Sequence, residues 1–390
     1  MTTRRPPHRL PFGRTRRSKR EATGASGARA LLGRRRARFL QIAAATLLLP
    51  PLLLILLAAL TPLPPLLRDQ HRYDSSIRIL DRHGKTLMEV RADDGARARW
   101  VPLDQISPEL QRAMVAAEDQ RFARHPGIDP IAIGRATFQN LWHRRVVSGA
   151  STLTQQLGRN VSPRPRTLRG KVREMALALR IEASLSKEQI LEHYLNLVSF
   201  GPSLRGVEAG SRFWFDKPAN ALSLAEAAML AAIPRGPSMY NPLKAPDAVR
   251  QRRDRILDRM LAAGAASQQD VERAKREPLS IHGKATGWGA PHFARSLLSG
   301  AVHPEVGPLS ERASVIRTTL SASLQREVQT AARTQLSSLQ GRNATAAAAV
   351  VIDNASGDVL AWLGAPDFLD EKHGGQNEGD LALRQPGSTL

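Results

Sequence analysis

Ala117-Glu118-Asp119-Gln120-Arg121-Phe122-Ala123-Arg124-His125-Pro126-Gly127-Ile128-Asp129 gathers three carboxylates, two arginines and a histidine into thirteen residues. It follows directly on an apolar-periodic segment formed by Leu110, Ala113, Met114 and Ala117. Ser107-Pro108-Glu109 opens that segment with an N-cap serine, a proline at the first helical position and an acid in the first turn. The spacing predicts a helix that ends near Glu118 and releases its carboxylate at the lip of a loop closed by Pro126-Gly127. A scaffold presents an acid or base to a cleft in this way. A salt-bridged helix end is the alternative, and the segments downstream decide between the two.

About thirty residues on, Gly149-Ala150-Ser151-Thr152-Leu153-Thr154-Gln155-Gln156-Leu157-Gly158-Arg159-Asn160 offers small hydroxyls, two amides and a cation, groups that grip a sugar or a phosphate. Arg164, Arg166, Arg169, Lys171 and Arg173 then lead to Glu174, which opens an apolar run from Met175 to Ile181. A carboxylate among cations at the N-terminal end of a buried helix suits a phosphate-bearing ligand, since helix N-termini and the cations favour anions alike.

The surrounding chain sets the compartment. Of its 390 residues 57 are Lys or Arg and 35 Asp or Glu, a net charge of +22. Residues 1–38 hold thirteen of the cations against the single acid Glu21. Such an arm could serve nucleic acid, but Phe39 to Leu60 follows without a charge and spans roughly the 30 Å core of a bilayer. The cluster Arg34-Arg35-Arg36-Ala37-Arg38 then orients a signal anchor with its N-terminus in the cytoplasm, and no nucleic acid is needed to explain the charge. Pro50-Pro51 kinks such a helix without abolishing it. A cleaved signal peptide, with Leu57-Ala58-Ala59 as its site, is the competing reading. The absence of cysteine excludes disulfides and thiolate metal sites.

Beyond a Pro-rich linker, Ile77 to Val90 reads as a hairpin turned at Asp81 to Lys85. From Leu103 to about Arg276 the signals are helical, with capping boxes at Ser186–Gln189 and Ser223–Glu226 and a possible cap at Asp247. Residues 277–315 read as a connector. After it the pattern turns α/β: a strand at Val315 to Leu320, a helix from Leu324 to Leu339, and a hairpin of Ala347–Ile352 and Val359–Leu363 about Asp353 to Asp358. The amphipathic stretch from Pro130 to Val147 mixes Ile131, Ile133, Phe138, Leu141 and Trp142 with arginines; it either packs in the core or forms a flap on an anionic membrane face.

Five ordered segments carry a resemblance: Glu118-Asp119 with Phe122, His125, Gly127 and Asp129; Gly149-x-Ser-Thr-x-Thr-Gln-Gln; Lys171-x-x-Glu174; Tyr194-Leu195-Asn196 with Phe200-Gly201; and Leu222-x-Leu-Ala-Glu226-Ala. They resemble the motifs of glycosyltransferase family 51, the peptidoglycan glycosyltransferases, over about residues 77–265. The tail, Asp353 to Leu363 and Arg384 to Leu390, is similar to the start of a penicillin-binding transpeptidase domain. With Trp288 and Ala290-Pro291-His292-Phe293 the whole resembles a class A penicillin-binding protein of the 1C type.

The resemblance implies a mainly α chain: a basic tail (1–38), one transmembrane helix (39–60), a lysozyme-like glycosyltransferase domain (77–276), a linker (277–315) and an incomplete α/β transpeptidase fragment (316–390). It implies a bacterial inner-membrane protein with a periplasmic catalytic domain and, as partners, lipid II, the growing glycan strand, membrane lipids and other cell-wall synthesis proteins. The activity it implies is polymerisation of lipid II into β-1,4 glycan with inversion and loss of undecaprenyl pyrophosphate. By position, Glu118 is then the general base on the acceptor 4-hydroxyl. Glu174 helps the pyrophosphate leave, directly or through a divalent metal (Mg or Mn). Asp119, His125, Ser151, Thr152, Gln155, Gln156, Arg159, Lys171 and Arg173 fall at substrate-binding positions. By analogy with inverting glycosidases, two carboxylates roughly 6.5–9.5 Å apart leave room for the incoming hydroxyl. Two departures stand out: the second motif ends Arg159-Asn160 where the family has Lys-Asn, and the third reads Gly170-Lys171 where it has Arg-Lys.

Ser388 matches the transpeptidase nucleophile by position, but Ser388-Thr389-Leu390 stops one residue before the lysine that would activate it, so that half is expected to be inactive. Two other function classes fit fewer residues. A silent lipid II-binding scaffold would keep the fold, and a lysozyme-like hydrolase would have no use for the cations between Arg159 and Glu174.

Overall fold

In the computed structural model residues 46–381 are described, apart from 47, 70–72, 74, 145–148, 166, 284–288, 301–313, 340, 343, 378 and 380. The basic tail, residues 39–45 of the expected anchor, Trp288 and the segment with Ser388 lie outside the described residues. Residues 48–60 are helical, with all their leucines but Leu54 exposed. Among the described residues no helix is long and apolar enough to cross a membrane. The chain divides after Thr61 into two units; the larger, from Pro62 onward, holds everything below.

That unit contains the expected hairpin, β1 (Ile77–Leu80) antiparallel to β2 (Thr86–Val90). A two-residue β3 (Arg97–Ala98) follows, then five helices: α1 (Pro108–Glu118), α2 (Pro130–Trp142), α3 (Leu153–Val161), α4 (Leu168–Glu182) and α5 (Lys187–Leu197). After the short strands β4 (Ser199–Gly201) and β5 (Leu204–Arg205) come α6 (Val207–Phe215), α7 (Leu224–Ala232) and α8 (Pro246–Ala262). α9 (Gln268–Arg276) closes the helical part. Its core is one apolar cluster that takes in α7 from Ala225 to Ala232, Leu110 and Met114 of α1 and Ile256 and Met260 of α8, which pack against α7, and Leu157 of α3 and Tyr194 of α5. An all-apolar Ala-Ala-Met-Leu-Ala-Ala helix has no polar face to turn to water, so it takes the centre.

Both anticipated capping boxes are present, at Ser186/Gln189 and Ser223/Glu226, and Thr152/Gln155 forms a third. Two other caps differ from expectation. The Ser107 hydroxyl donates to the Glu109 carboxylate (2.9 Å) instead of accepting from the helix, and Asp247 lies inside a helix that Pro246 starts. Proline at the first helical position suffices there, having no N–H to satisfy.

The stretch from 277 to 315 is more than a connector, since it contains α10 (Pro291–Leu298). Beyond it lie β6 (Val315–Arg317), α11 (Ala322–Ser338) and the hairpin of β7 (Ala349–Ile352) and β8 (Val359–Leu363). β6 does not join that hairpin; it pairs in parallel with β1, so the first sheet has the order β2-β1-β6. A second core forms around it from Ile77, Ile79, Leu87, Phe293, Leu297, Leu320 and Trp362. The Asp81 carboxylate fastens the join, accepting from the backbone of His83, Lys85 and Ala322 (2.9, 2.8 and 3.2 Å).

α2 is not core. Only Ala136 is buried, while Phe138 and Trp142 stack 6.0 Å apart on the surface, beside exposed Ile131 and Leu141.

Candidate active site

Glu118 is the last residue of α1, and its side chain, 8% exposed, borders a cavity of about 370 Å³. Arg252 of α8 donates to Glu118 Oε1 (3.1 Å) and Gln156 of α3 to Oε2 (3.0 Å). Gln156 in turn accepts from the Tyr194 hydroxyl (3.1 Å). Burial, and next the charge of Glu118, hold that phenol well above its ordinary range, so it stays a donor and fixes which end of the Gln156 amide faces Glu118. Arg252 also donates to the Ala232 carbonyl (3.0 Å) and stacks over Tyr240 at 5.1 Å. Burial draws its guanidinium below the usual value and Glu118 opposes that. The same cavity is bordered by Arg121, Arg135, Arg235 and Arg259, and by the Gly149 to Thr152 turn.

Glu174 lies elsewhere on the same scaffold. It is 2% exposed, on the second turn of α4, because α4 starts at Leu168, six residues before it. The helix N-terminus therefore is not what balances it. Lys171 donates to Oε1 (2.5 Å), and Arg159 (3.2 Å) and Arg164 to Oε2. Burial alone would raise this carboxyl; the hydrogen bonds from Lys171 and Arg164 and the charges of Lys171 and Arg159 hold it below the ordinary glutamate value. Lys171 also reaches Ser151 Oγ (3.1 Å) and Gln155 Oε1 (3.2 Å). Neighbouring glutamines of α3 thus serve different carboxylates: Gln156 binds Glu118, and Gln155 binds the lysine on Glu174.

Arg164 comes from the loop before α4, and that loop depends on Gly170. A Cβ there would sit 2.3 Å from the Pro165 carbonyl oxygen and 3.1 Å from Arg164 Nη1. The absent side chain in the third motif is what lets the loop fold back, and Arg164 supplies the cation that the Gly170-Lys171 pair lacks. Arg173 is exposed beside Glu174.

Asp119, His125 and Thr152 are brought together beneath the cleft. Asp119 accepts from His125 Nε2 (3.0 Å) and from the Leu153 amide (3.0 Å), tying the loop after α1 to the start of α3. Thr152 caps α3 and donates to the Gly127 carbonyl (2.6 Å). Gly127 has φ +85°, and a Cβ would lie 2.9 Å from the Ala178 carbonyl oxygen of α4. Lys187 bridges Glu182 and the His125 carbonyl (2.7 Å each), tying this loop to the end of α4 and the start of α5. Sequence reasoning missed Arg252, Arg235 and Arg259. The helix carrying Arg252 and Arg259 was legible only through its apolar face, and nothing local says that an arginine 134 residues away meets Glu118.

The groups around Glu174 do not fit a metal. Both oxygens accept from cations, which would repel a further one, and among the described residues no cluster of three or more His, Asp or Glu could hold an ion.

The profile of the transglycosylase family matches residues 83–261. Penicillin-binding protein 1C of Escherichia coli (strain K12) is 34% identical over 332 residues, 85% of this chain and 41% of that protein. Penicillin-binding protein 1A of Aquifex aeolicus (strain VF5) is 43% identical over 183 residues, 47% of this chain and 25% of its own length. Penicillin-binding protein 1F of Bacillus subtilis (strain 168) is 31% identical over 323 residues, 81% of this chain and 44% of its own. The chain thus spans less than half the length of each of these relatives. The chain carries a transglycosylase domain at residues 83–261 and is similar over most of its length to penicillin-binding proteins.

Proposed function

We propose that the chain is a peptidoglycan glycosyltransferase that polymerises lipid II into β-1,4-linked glycan, releasing undecaprenyl pyrophosphate with inversion. What carries the reading is the pair of differently held carboxylates. Glu118 borders the cavity with one cation on it, and takes the proton from the acceptor 4-hydroxyl. Arg252 and Gln156 hold its two oxygens in place while the proton moves. Glu174 gathers three cations on one negative charge, leaving an excess of two positive charges for a diphosphate leaving group. Glu174 stays ionised at neutral pH, being held below its ordinary range, and so acts by gripping these cations rather than by protonating the leaving oxygen. Ser151 and Gln155 hold Lys171 at the donor side, and Arg159 faces the donor phosphates.

A lipid-linked substrate also gives the exposed face of α2 a purpose. Phe138, Leu141 and Trp142 suit a bilayer interface, with Arg135 beside them toward headgroups. The location that follows is a bacterial inner membrane, single-pass, with the catalytic part periplasmic.

Incubating the purified chain with labelled lipid II tests the proposal. Polymer that lysozyme digests is expected. Binding without polymer would make the chain a lipid II-binding scaffold, and release of sugars from preformed glycan a hydrolase.

A further inference from the structure

A second cationic cavity lies away from both carboxylates, between the β1–β2 hairpin and α6. Its volume is about 240 Å³, and none of the residues assigned above to the reaction borders it. Four guanidinium groups converge on it: Arg78 from β1, Arg97 from β3, Arg99 just after β3, and Arg212 from α6.

Their internal partners are too few. Glu89 takes Arg97 (3.1 Å) and also accepts from the Ser76 hydroxyl (3.0 Å). Glu208 takes Arg212 (2.6 Å) and Arg99 (3.9 Å) while accepting from the Ala219 amide (2.8 Å). Arg78 has no carboxylate partner within 4 Å among the described residues; its one side-chain bond is to the Thr86 hydroxyl (3.0 Å). Four guanidiniums carry about twenty N–H donors, and two shared carboxylates and a hydroxyl occupy a minority of them. Asp216 and His282 complete the rim, both exposed.

The geometry is preset. Arg97 is pinned by Glu89 and by the Phe213 ring, 5.8 Å below its guanidinium, and Arg212 by Glu208 one helical turn back. Burial, and next the like charges of Arg212 and Arg99, draw the Arg78 guanidinium below its usual range. That crowding is what a bound anion relieves, as arginine forks match tetrahedral oxyanions with paired hydrogen bonds.

We propose that this cavity is a binding site for a phosphate-sized oxyanion, held by Arg78, Arg97, Arg99 and Arg212. The ligand would bridge the hairpin, which belongs to the second core, to α6 of the first, and so would stiffen the junction between the two layers. The proposal is independent of the reaction assigned to Glu118.

Titrating the whole chain with inorganic phosphate, against chloride at matched ionic strength, tests it by calorimetry and thermal melting. Saturable binding is expected, with Tm raised by about 2 °C at ten times Kd. Arg78→Gln should weaken phosphate at least tenfold without lowering the Tm of the free protein, and Lys171→Ala should leave phosphate binding as it was. Should Arg78→Gln prove unstable, Arg99→Gln makes the same measurement. Phosphate indistinguishable from chloride, or unchanged affinity in both arginine variants, overturns the site. Loss of binding in Lys171→Ala overturns it as well, by moving the anion to the donor side.

Discussion

Glu118 and Glu174 are the same residue type, both nearly buried and both held by arginine, yet their surroundings divide them. Glu118 has one cation, one amide and an open cavity beside it. Glu174 has three cations and next to no exposed surface. A carboxylate that must accept a proton needs access and a single moderate partner. One that must organise positive charge for a leaving group needs neither access nor a free lone pair. In the proposed roles, partner count, more than burial, separates the base from the organiser.

The sharpest way to break that contrast is Glu118→Gln. The amide keeps the shape and loses the base, so polymerisation should fall by roughly 10²–10⁴, with binding of a donor-like phosphoglycolipid inhibitor retained. Activity within threefold of the parent in a lipid II assay would remove Glu118 from its role.

On the other carboxylate, Lys171→Ala and Arg159→Ala should each weaken that inhibitor by about 10- to 100-fold, a charged hydrogen bond being worth about 1.5–3 kcal/mol. Unchanged affinity with a lower Tm would make both cations structural.

Gly170→Ala tests whether the loop carries Arg164 to its place. The new methyl meets the Pro165 carbonyl, so the loop must shift. Inhibitor affinity should drop about tenfold, the loss of a single charged contact, with the fold intact by circular dichroism. An affinity equal to the parent's would leave Arg164 without a part in donor binding.

The smallest effect is in pH dependence. Glu174 has a depressed folded-state pKa, so its contribution to stability is complete above the ordinary glutamate value of 4.5 and is lost as pH falls through the folded value. Glu174→Gln should therefore flatten the acid side of the Tm curve below about pH 4.5 and leave the slope above it unchanged. A change confined to neutral pH would contradict the ion-pair account.

Much of this arrangement was readable in the chain. The end of α1 at Glu118, the capping boxes of α5 and α7, and both hairpins follow from spacing and turn residues, because they are local. The pairing of β1 with β6 and the reach of Arg252 to Glu118 join residues more than a hundred positions apart. Short apolar strands such as Val315–Arg317 carry no mark of their partner. The placing of Glu174 at the opening of its helix differs for a local reason. Thr167, an ordinary cap, starts α4 two turns earlier than the apolar run suggests.

The parallel pairing of β1 with β6 has a consequence for how the chain is made. The inner face of the hairpin, Ile77, Ile79 and Leu87, finds Phe293, Leu320 and Trp362 only after more than two hundred further residues have left the ribosome. At about 5–20 residues per second that is a wait of roughly 10–50 s. Throughout it a finished hairpin shows apolar side chains and an unpaired strand edge. The helical core can close in that interval, since its elements lie between the two strands. The hairpin is then covered after the helical core, and is the part that a holding chaperone would find.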